Sequence, residues 1–292
     1  MEQLIYQIAE QIVVLHTPSA RETAALLPNF APFRLASLPQ DVGVLLEVWG
    51  NEPIQPDVER ERLVETTKDY RTVWRVYLRD DHHYRAEMSD GERTLSFVID
   101  KHWREMRCGL PLTSRGMAAY LNRFILIAYG AATAKLGYLK VHASVTELRG
   151  KALLFLGVSG TGKSTHSRLW QKYIPGCTLL NDDEPIVRMM PDGQVRVYGA
   201  PWSGSTPCYR NEWAEVVAFV HLYQHTENRL IKCDGREALN SLFSSVAGLS
   251  FDREGKQQIF NAVADILECI PVYHLDCRAD EEAVRLTRSL LD

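Results

Sequence analysis

No Cys-x-x-Cys pair occurs in the chain; its six cysteines, at 108, 177, 208, 233, 269 and 277, stand far apart. Such spacing offers neither a zinc cluster nor a disulfide framework, so the thiols read as reduced and mostly buried, in a cytoplasmic protein without zinc. An excess of positive charge is missing too: 33 Lys plus Arg face 37 Asp plus Glu, a formal net charge of −4. That balance argues against wholesale nucleic-acid binding and leaves only a local basic patch open. The most apolar stretch near the middle, Phe124 to Ala134, falls far short of the ~20 residues that span a bilayer. Glu2 and Glu10 flank the apolar residues of the N-terminus and no basic region precedes them, so neither a membrane segment nor a signal peptide is expected. Internal repeats and low-complexity tracts are absent as well. What is present is the composition of an ordinary folded protein, 46% hydrophobic and 24% charged over 292 residues. A chain of that length forms two domains or one large one and buries about three quarters of its unfolded surface.

The first part of the chain carries strand patterning. Ser19 with Glu22 three residues on is a capping box, predicting a short helix to about Leu27, after which Pro28, Pro32 and Pro39 punctuate a loop-rich stretch. Val42 to Trp49 is an apolar run of strand length. From Arg71 the alternation places Trp74, Val76 and Leu78 on one face, and turn residues at Asp80-Asp81 and Ser89-Asp90-Gly91 separate further strands. The expectation is an antiparallel meander, with Trp74 and Trp103 packed in its core; the first dozen residues fit helix or strand. A helix follows, capped by Thr113 or Ser114 and stopped by Gly137, with Leu121, Phe124, Ile125, Ala128 and Ala132 at helical spacing. The change from two-residue to 3.6-residue periodicity puts a domain seam near Pro111, giving a β-rich domain over 1–111 and a second domain over 112–292.

Beyond Gly137 strands and helices alternate. Val141 to Leu148, Ala152 to Leu156, Thr178 to Leu180, Val216 to Tyr223 and Val272 to Asp276 read as strands. Pro191-Asp192-Gly193 marks a hairpin between Ile186–Met190 and Gln194–Tyr198, and Arg229 to Cys233 is expected to pair with Val216–Tyr223. Helices are expected from about Lys163 to Tyr173, from a cap at Asp234, over Glu254 to Cys269, and from about Asp280. The second domain is therefore a mixed α/β domain.

Its sharpest signal is Gly157-Val-Ser159-Gly160-Thr161-Gly162-Lys163-Ser164, which fits the phosphate-loop pattern G-x-x-x-x-G-K-[ST] without mismatch and continues into Thr165. Gly157, Gly160 and Gly162 lack a Cβ, so the loop can curl and aim its N–H groups at phosphate oxygens, with the N-terminus of the following helix adding its positive dipole end. Lys163 reaches the β and γ phosphates and Ser164 offers a hydroxyl to Mg²⁺. Asn181-Asp182-Asp183 closes the next apolar strand, with Asp182 nineteen residues after Lys163. Two carboxylates there can hold Mg²⁺ and accept a proton from an attacking hydroxyl; a turn or helix cap is the alternative. The short spacing predicts that the helix after the loop returns at once to the acidic strand, which disfavours a motor or switch GTPase. His142 opens the strand that pairs with the loop strand, twenty-one residues before Lys163, and taken alone is structural. Gly199 to Arg210, rich in Gly, Ser and Pro, suits a substrate loop, with Trp202 and a phosphate clamp at Arg210, or an ordinary surface loop. His82, His83, His221 and His225 read as solvated or structural.

His142-Ala-Ser-Val, then the Gly157–Ser164 loop, then Asp182-Asp183, in this order and spacing, resembles the catalytic domain of HPr kinase/phosphorylase, whose fold is shared more distantly with phosphoenolpyruvate carboxykinase. The resemblance covers roughly residues 138 to 205 and extends to the small kinases of modified-peptide biosynthesis clusters. It implies that His142 lies near the transferred phosphate, that one aspartate of the pair is the general base toward a serine hydroxyl, and that the other helps with the metal. It also implies an oligomer. One residue departs: where the family carries a metal-binding glutamate ahead of a glycine, alignment on Gly199 puts Arg196, so the reverse phosphorolytic reaction is not implied. The expectation is an ATP- and Mg²⁺-dependent kinase acting on a hydroxyl of a protein, peptide or small molecule. Phosphoenolpyruvate carboxykinase-like phosphoryl transfer would need lysine and histidine metal ligands that are not evident. A non-catalytic nucleotide sensor would be expected to have lost Lys163, Ser164 or one of the aspartates.

Overall fold

The computed structural model describes residues 1–68, 72–204 and 206–292; Arg71, where the alternating run begins, lies outside them. The chain forms two compact units, residues 1–133 with 249–253, and residues 134–248 with 254–292. No helix among the described residues is long and apolar enough to cross a membrane.

The first unit opens on a hairpin, β1 (Glu2–Ile8) and β2 (Gln11–Thr17), which settles the ambiguous first dozen residues as strand. Ser19 caps α1 (Ala20–Leu26), its hydroxyl accepting the Glu22 N–H at 3.3 Å. There follow β3 (Arg34–Leu35), β4 (Val44–Trp49), β5 (Glu61–Lys68), β6 (Val73–Arg79), β7 (Tyr84–Ser89), β8 (Thr94–Ile99) and β9 (Glu105–Cys108). They make one nine-stranded sheet in the order β3-β1-β2-β4-β9-β8-β7-β6-β5. Strands β5 to β9 are the expected antiparallel meander, but β4 runs parallel to both β2 and β9, so the sheet is mixed.

Helix α2 (Ala118–Ala134) belongs to this unit up to Thr133. Phe124 meets Phe97 and Trp74 with ring centroids 4.8 and 6.0 Å apart, and the Tyr129 hydroxyl donates to the Ile8 carbonyl at 2.8 Å. The units therefore divide at Thr133/Ala134, at the last residue of the helix, rather than near Pro111. A change of periodicity marks the start of a helix, whereas packing decides which sheet that helix covers. Trp74 and Trp103 are both buried in this unit.

The second unit contains β10 (Leu139–Lys140), β11 (Ala143–Leu148), β12 (Lys151–Leu156), α3 (Lys163–Tyr173), β13 (Thr178–Asp183), β14 (Ile186–Met189), β15 (Val195–Tyr198), β16 (Trp213–Gln224), β17 (Arg229–Lys232), α4 (Gly235–Ser244), α5 (Arg253–Cys269), β18 (Val272–Cys277) and α6 (Glu281–Arg288). The main path of its mixed sheet is β10-β14-β15-β16-β12-β11-β13, with β18 parallel to β16. β17 pairs antiparallel with β18 and not, as the sequence suggests, with β16.

Helices cover both faces of this sheet. Ala152, Leu154 and Leu156 of β12 pack with Ala238 and Leu242 of α4 and Val263 of α5. Leu153 and Phe155 point the other way, to Trp170 of α3 and Val284 of α6. A strand buried on both faces has no polar side, which is why residues 152–156 are an unbroken apolar run.

Candidate functional site

The end of β12 and the start of α3 are joined by the Gly157–Ser164 loop. Gly157, Gly160 and Gly162 have φ of +139°, +87° and +103°. At Gly157 the constraint is also spatial: a Cβ would stand 2.6 Å from Thr161 Oγ1 and 3.4 Å from the Leu222 carbonyl oxygen. Gly162 is the N-cap residue of α3, so the helix N-terminus faces the space the loop encloses.

That space is a cleft of about 420 Å³ lined by His142, Ser159, Gly160, Gly162, Lys163, Ser164, Thr165, Arg168, Asp182, Asp183 and Gly204. The structure thus brings together His142, Lys163, Ser164 and the acidic pair. Gly157 and Thr161 shape the loop from outside the lining, the Thr161 hydroxyl donating to the Val158 carbonyl at 2.8 Å.

Lys163 is buried and turns its ammonium back on the loop, donating to the carbonyls of Gly157 at 2.8 Å and Val158 at 3.4 Å. Burial pulls its pKa below the usual lysine range, while the carboxylates of Asp183 and Asp182 oppose that shift. One turn on, Arg168 Nε donates to the Ser164 carbonyl at 3.1 Å.

The acidic strand β13 pairs with β11, which separates it from β12; the helix does return at once to it, but to a position one strand removed. Asp182 is opposite Ser144 and Asp183 opposite Ala143. Asp182 is 3% exposed; its Oδ1 accepts from Ser164 Oγ at 2.9 Å, and its Oδ2 is buried without a hydrogen-bond partner among the described residues. Asp183 is more open, its side chain 37% exposed, and its Oδ1 lies 3.3 Å from His142 Nδ1. Its pKa is raised by burial and by Glu184, with His142 and Lys163 pulling it down. A φ of +133° holds Asp183 in a conformation that L-residues rarely adopt. The flanking contacts impose it: Ser203 bridges to Asp183, and Ser203 Oγ and the Gly204 N–H both donate to the Asp182 carbonyl. His142 sits in the break between β10 and β11 rather than in a strand, its N–H donating to the Ser245 carbonyl at 2.7 Å.

Asn181, fully buried, ties the 200–202 segment to the acidic strand. Its Nδ2 donates to the carbonyls of Ala200 at 3.3 Å and Trp202 at 2.9 Å, and its Oδ1 accepts the Glu184 N–H at 3.0 Å. Trp202 is buried and stands outside the cleft lining. Arg210 stands outside it too. Its guanidinium bonds Thr178 Oγ1 at 2.7 Å, the Leu179 carbonyl at 2.9 Å and Glu212, at the far end of β13 from the acidic pair. Arg196 does not enter the cleft either, its guanidinium lying 4.0 Å over the Trp213 ring.

Sequence reasoning missed Arg168 and Gln224 and did not single out Gly204 within the expected 199–210 substrate loop. Arg168 repeats Ser164 at helical i+4 spacing and so shares its face, a signal present in the sequence. Gly204 and Gln224, whose Nε2 donates to the Gly160 carbonyl at 3.2 Å, are brought there only by tertiary pairing. Among the described residues no group of three or more His, Cys, Asp and Glu is arranged to hold a metal ion.

No protein-family model matches the chain, and no curated protein matches it. Among solved structures it is similar to the Hpr(Ser) kinase/phosphatase from Coxiella burnetii, at 11% identity and a TM-score of 0.31, over 51% of this chain and 86% of that one.

Proposed function

We propose that the protein is an ATP- and Mg²⁺-dependent kinase that transfers the γ-phosphoryl group to a serine-type hydroxyl of a protein, peptide or small molecule. The observation that carries this reading is the difference in surroundings between the two carboxylates. Asp182 is buried against the Ser164 hydroxyl with one oxygen unsatisfied, whereas Asp183 faces the cleft beside His142 with a raised pKa. The first arrangement suits a metal ligand, the second a general base.

The residues fit Mg²⁺. That ion is held by one or two carboxylates together with substrate phosphates and water, so Asp182 and Ser164 suffice without a three-ligand cluster. When bound, it neutralises charge shared by the β and γ phosphates. The loop N–H groups and the α3 N-terminus would receive the phosphate oxygens, and the Lys163 ammonium would exchange its two carbonyl partners for them. Asp183 would take the proton of the acceptor hydroxyl as that oxygen bonds to the γ-phosphorus and the bond to ADP breaks. His142 would hold Asp183 in its ionised form and in position.

The test is transfer of labelled phosphate from ATP to serine-bearing peptides and small hydroxyl compounds. Transfer that is lost in Asp183→Asn and Lys163→Ala supports the kinase. ATP binding with no transfer to any acceptor favours a nucleotide sensor instead.

A further inference from the structure

His221 lines a second cavity, of about 310 Å³, on the α4 face of β16 and β18. One wall is a ladder of rings, His221 with Tyr223 at 4.9 Å between centroids and Tyr223 with His274 at 4.0 Å, both stacked. His221 and His274 are register partners across the parallel pair, and Tyr223, two residues along β16, shares their face. Helix α4 supplies Glu237, Asn240, Ser241 and Ser244 opposite. Ser241 Oγ lies 2.6 Å from His221 Nδ1, and His274 Nε2 lies 2.7 Å from Asp276 Oδ1. None of the described residues that line the cavity is Lys or Arg. Burial first, then the charges of His274 and Lys163, lowers the His221 pKa, and burial raises that of the Cys233 thiol. Such a cavity rejects a phosphate and suits a flat, uncharged ligand with hydrogen-bonding edges.

Position identifies the ligand further. After β12 the chain crosses to α3 on one face of the sheet; after β16 it reaches α4 and α5 on the other. Where neighbouring parallel strands send their connections to opposite faces, a crevice opens at their C-terminal ends, and open α/β sheets bind ligands there. The Gly157–Ser164 loop leaves the C-terminal end of β12, and the rings of the ladder stand toward the C-terminal end of β16 and on its parallel neighbour β18. β16, which carries His221 and Tyr223, meets the loop near its C-terminal end: Gln224 Nε2 donates to the Gly160 carbonyl at 3.2 Å, and the Leu222 carbonyl oxygen would stand 3.4 Å from a Cβ at Gly157. The acidic strand β13 lies three strand spacings from β16, ~14 Å at ordinary sheet geometry. A small acceptor seated on the ladder would not reach Asp183, whereas the base of a nucleotide belongs at that distance from the phosphate it donates.

We propose that the cavity between the His221–Tyr223–His274 ladder and α4 is a nucleobase pocket, taking the purine ring of a nucleotide whose phosphates occupy the Gly157–Ser164 loop. The assignment rests on the nucleotide-dependent reading given above. The full-length protein is titrated by calorimetry with Mg²⁺–ATP and with Mg²⁺–tripolyphosphate, which has the phosphates and no base. Tyr223→Ala is expected to weaken ATP binding by about tenfold or more and to leave tripolyphosphate affinity within about twofold, which also certifies the fold of the variant. Unchanged ATP affinity in Tyr223→Ala, with Lys163→Ala weakening both ligands, overturns the pocket and leaves the kinase standing. Wild-type protein that binds neither ligand overturns both. Photolabelling of wild-type protein with an azido-purine ATP analogue needs no variant: label on β16, β18 or α4 is expected, and label confined to other segments overturns the pocket.

Discussion

The two adjacent aspartates have the same chemistry and different surroundings, and the proposed kinase reading gives them different tasks. Asp183→Asn is expected to lower phosphoryl transfer by at least ~10²-fold with nucleotide affinity nearly unchanged, because it removes a proton acceptor. Asp182→Asn is expected instead to weaken Mg²⁺, read as a raised metal requirement in the same assay. The Asp183 pKa is raised by burial and by Glu184, so its ionised form, and activity with it, is lost on acidification at a higher pH than for an ordinary aspartate. His142 is one of the groups that pulls this pKa down. His142→Gln therefore moves the acid limb of the pH–rate profile to higher pH; a limb that stays in place removes His142 from this role.

Among elements, the loop between β12 and α3 and the 199–204 segment shape the cleft, and both depend on close backbone approach. Gly157→Ala places a methyl 2.6 Å from Thr161 Oγ1 on a backbone with φ +139°. The expected cost is about 1–3 kcal/mol of loop strain, measured as a weakened nucleotide affinity. Adding Thr161→Ala relieves the contact and not the φ, so most of the defect is expected to persist. Asn181→Ala strips partners from the carbonyls of Ala200 and Trp202 and from the Glu184 N–H. Urea unfolding should report a loss of about 1–3 kcal/mol; a loss below ~0.5 kcal/mol would mean that these groups find other partners. Elements themselves were legible where a local signal makes them. Ser19 and Asp234 both cap their helices as read, because a cap acts within one turn. At Ser19 the hydroxyl half of the expected box with Glu22 forms, and at Asp234 a full box forms with Glu237, which the sequence reading does not name. The partner of β17 and the side of the seam to which α2 belongs were not legible, because strand pairing and helix docking join residues far apart in the chain.

For the molecule as a whole, one buried histidine links stability to pH. His166, on α3, packs against Phe155 at 4.5 Å and its Nε2 lies 3.3 Å from Thr287 Oγ1. Burial pushes its pKa down to about 4 from the ordinary 6.5, against an opposing pull from Asp280. The unfolded chain then binds a proton that the folded one refuses, so stability is full above pH 6.5 and falls as pH drops toward 4. The whole effect is about 3 kcal/mol. His166→Gln should flatten that slope in urea titrations at pH 7 and pH 5; an unchanged slope would assign the acid sensitivity to other groups.

In a chain without cysteine pairs, basic excess or long apolar runs, the motif on which the proposed function rests is one contiguous stretch. The pattern of residues 157 to 164 is legible from sequence because a loop proposed to curl around an anion needs glycines, a lysine and a hydroxyl at fixed local spacing. The expected β-rich and α/β halves follow from periodicities of two and 3.6 residues for the same local reason. Tertiary structure alone decided the rest. It placed Asp182 against Ser164, turned Arg210 toward Thr178 and away from the cleft, and stacked His221 on Tyr223 and His274. None of these follows from residue order, since each depends on which strand lies beside which, and that is set by how apolar faces are buried on both sides of a sheet.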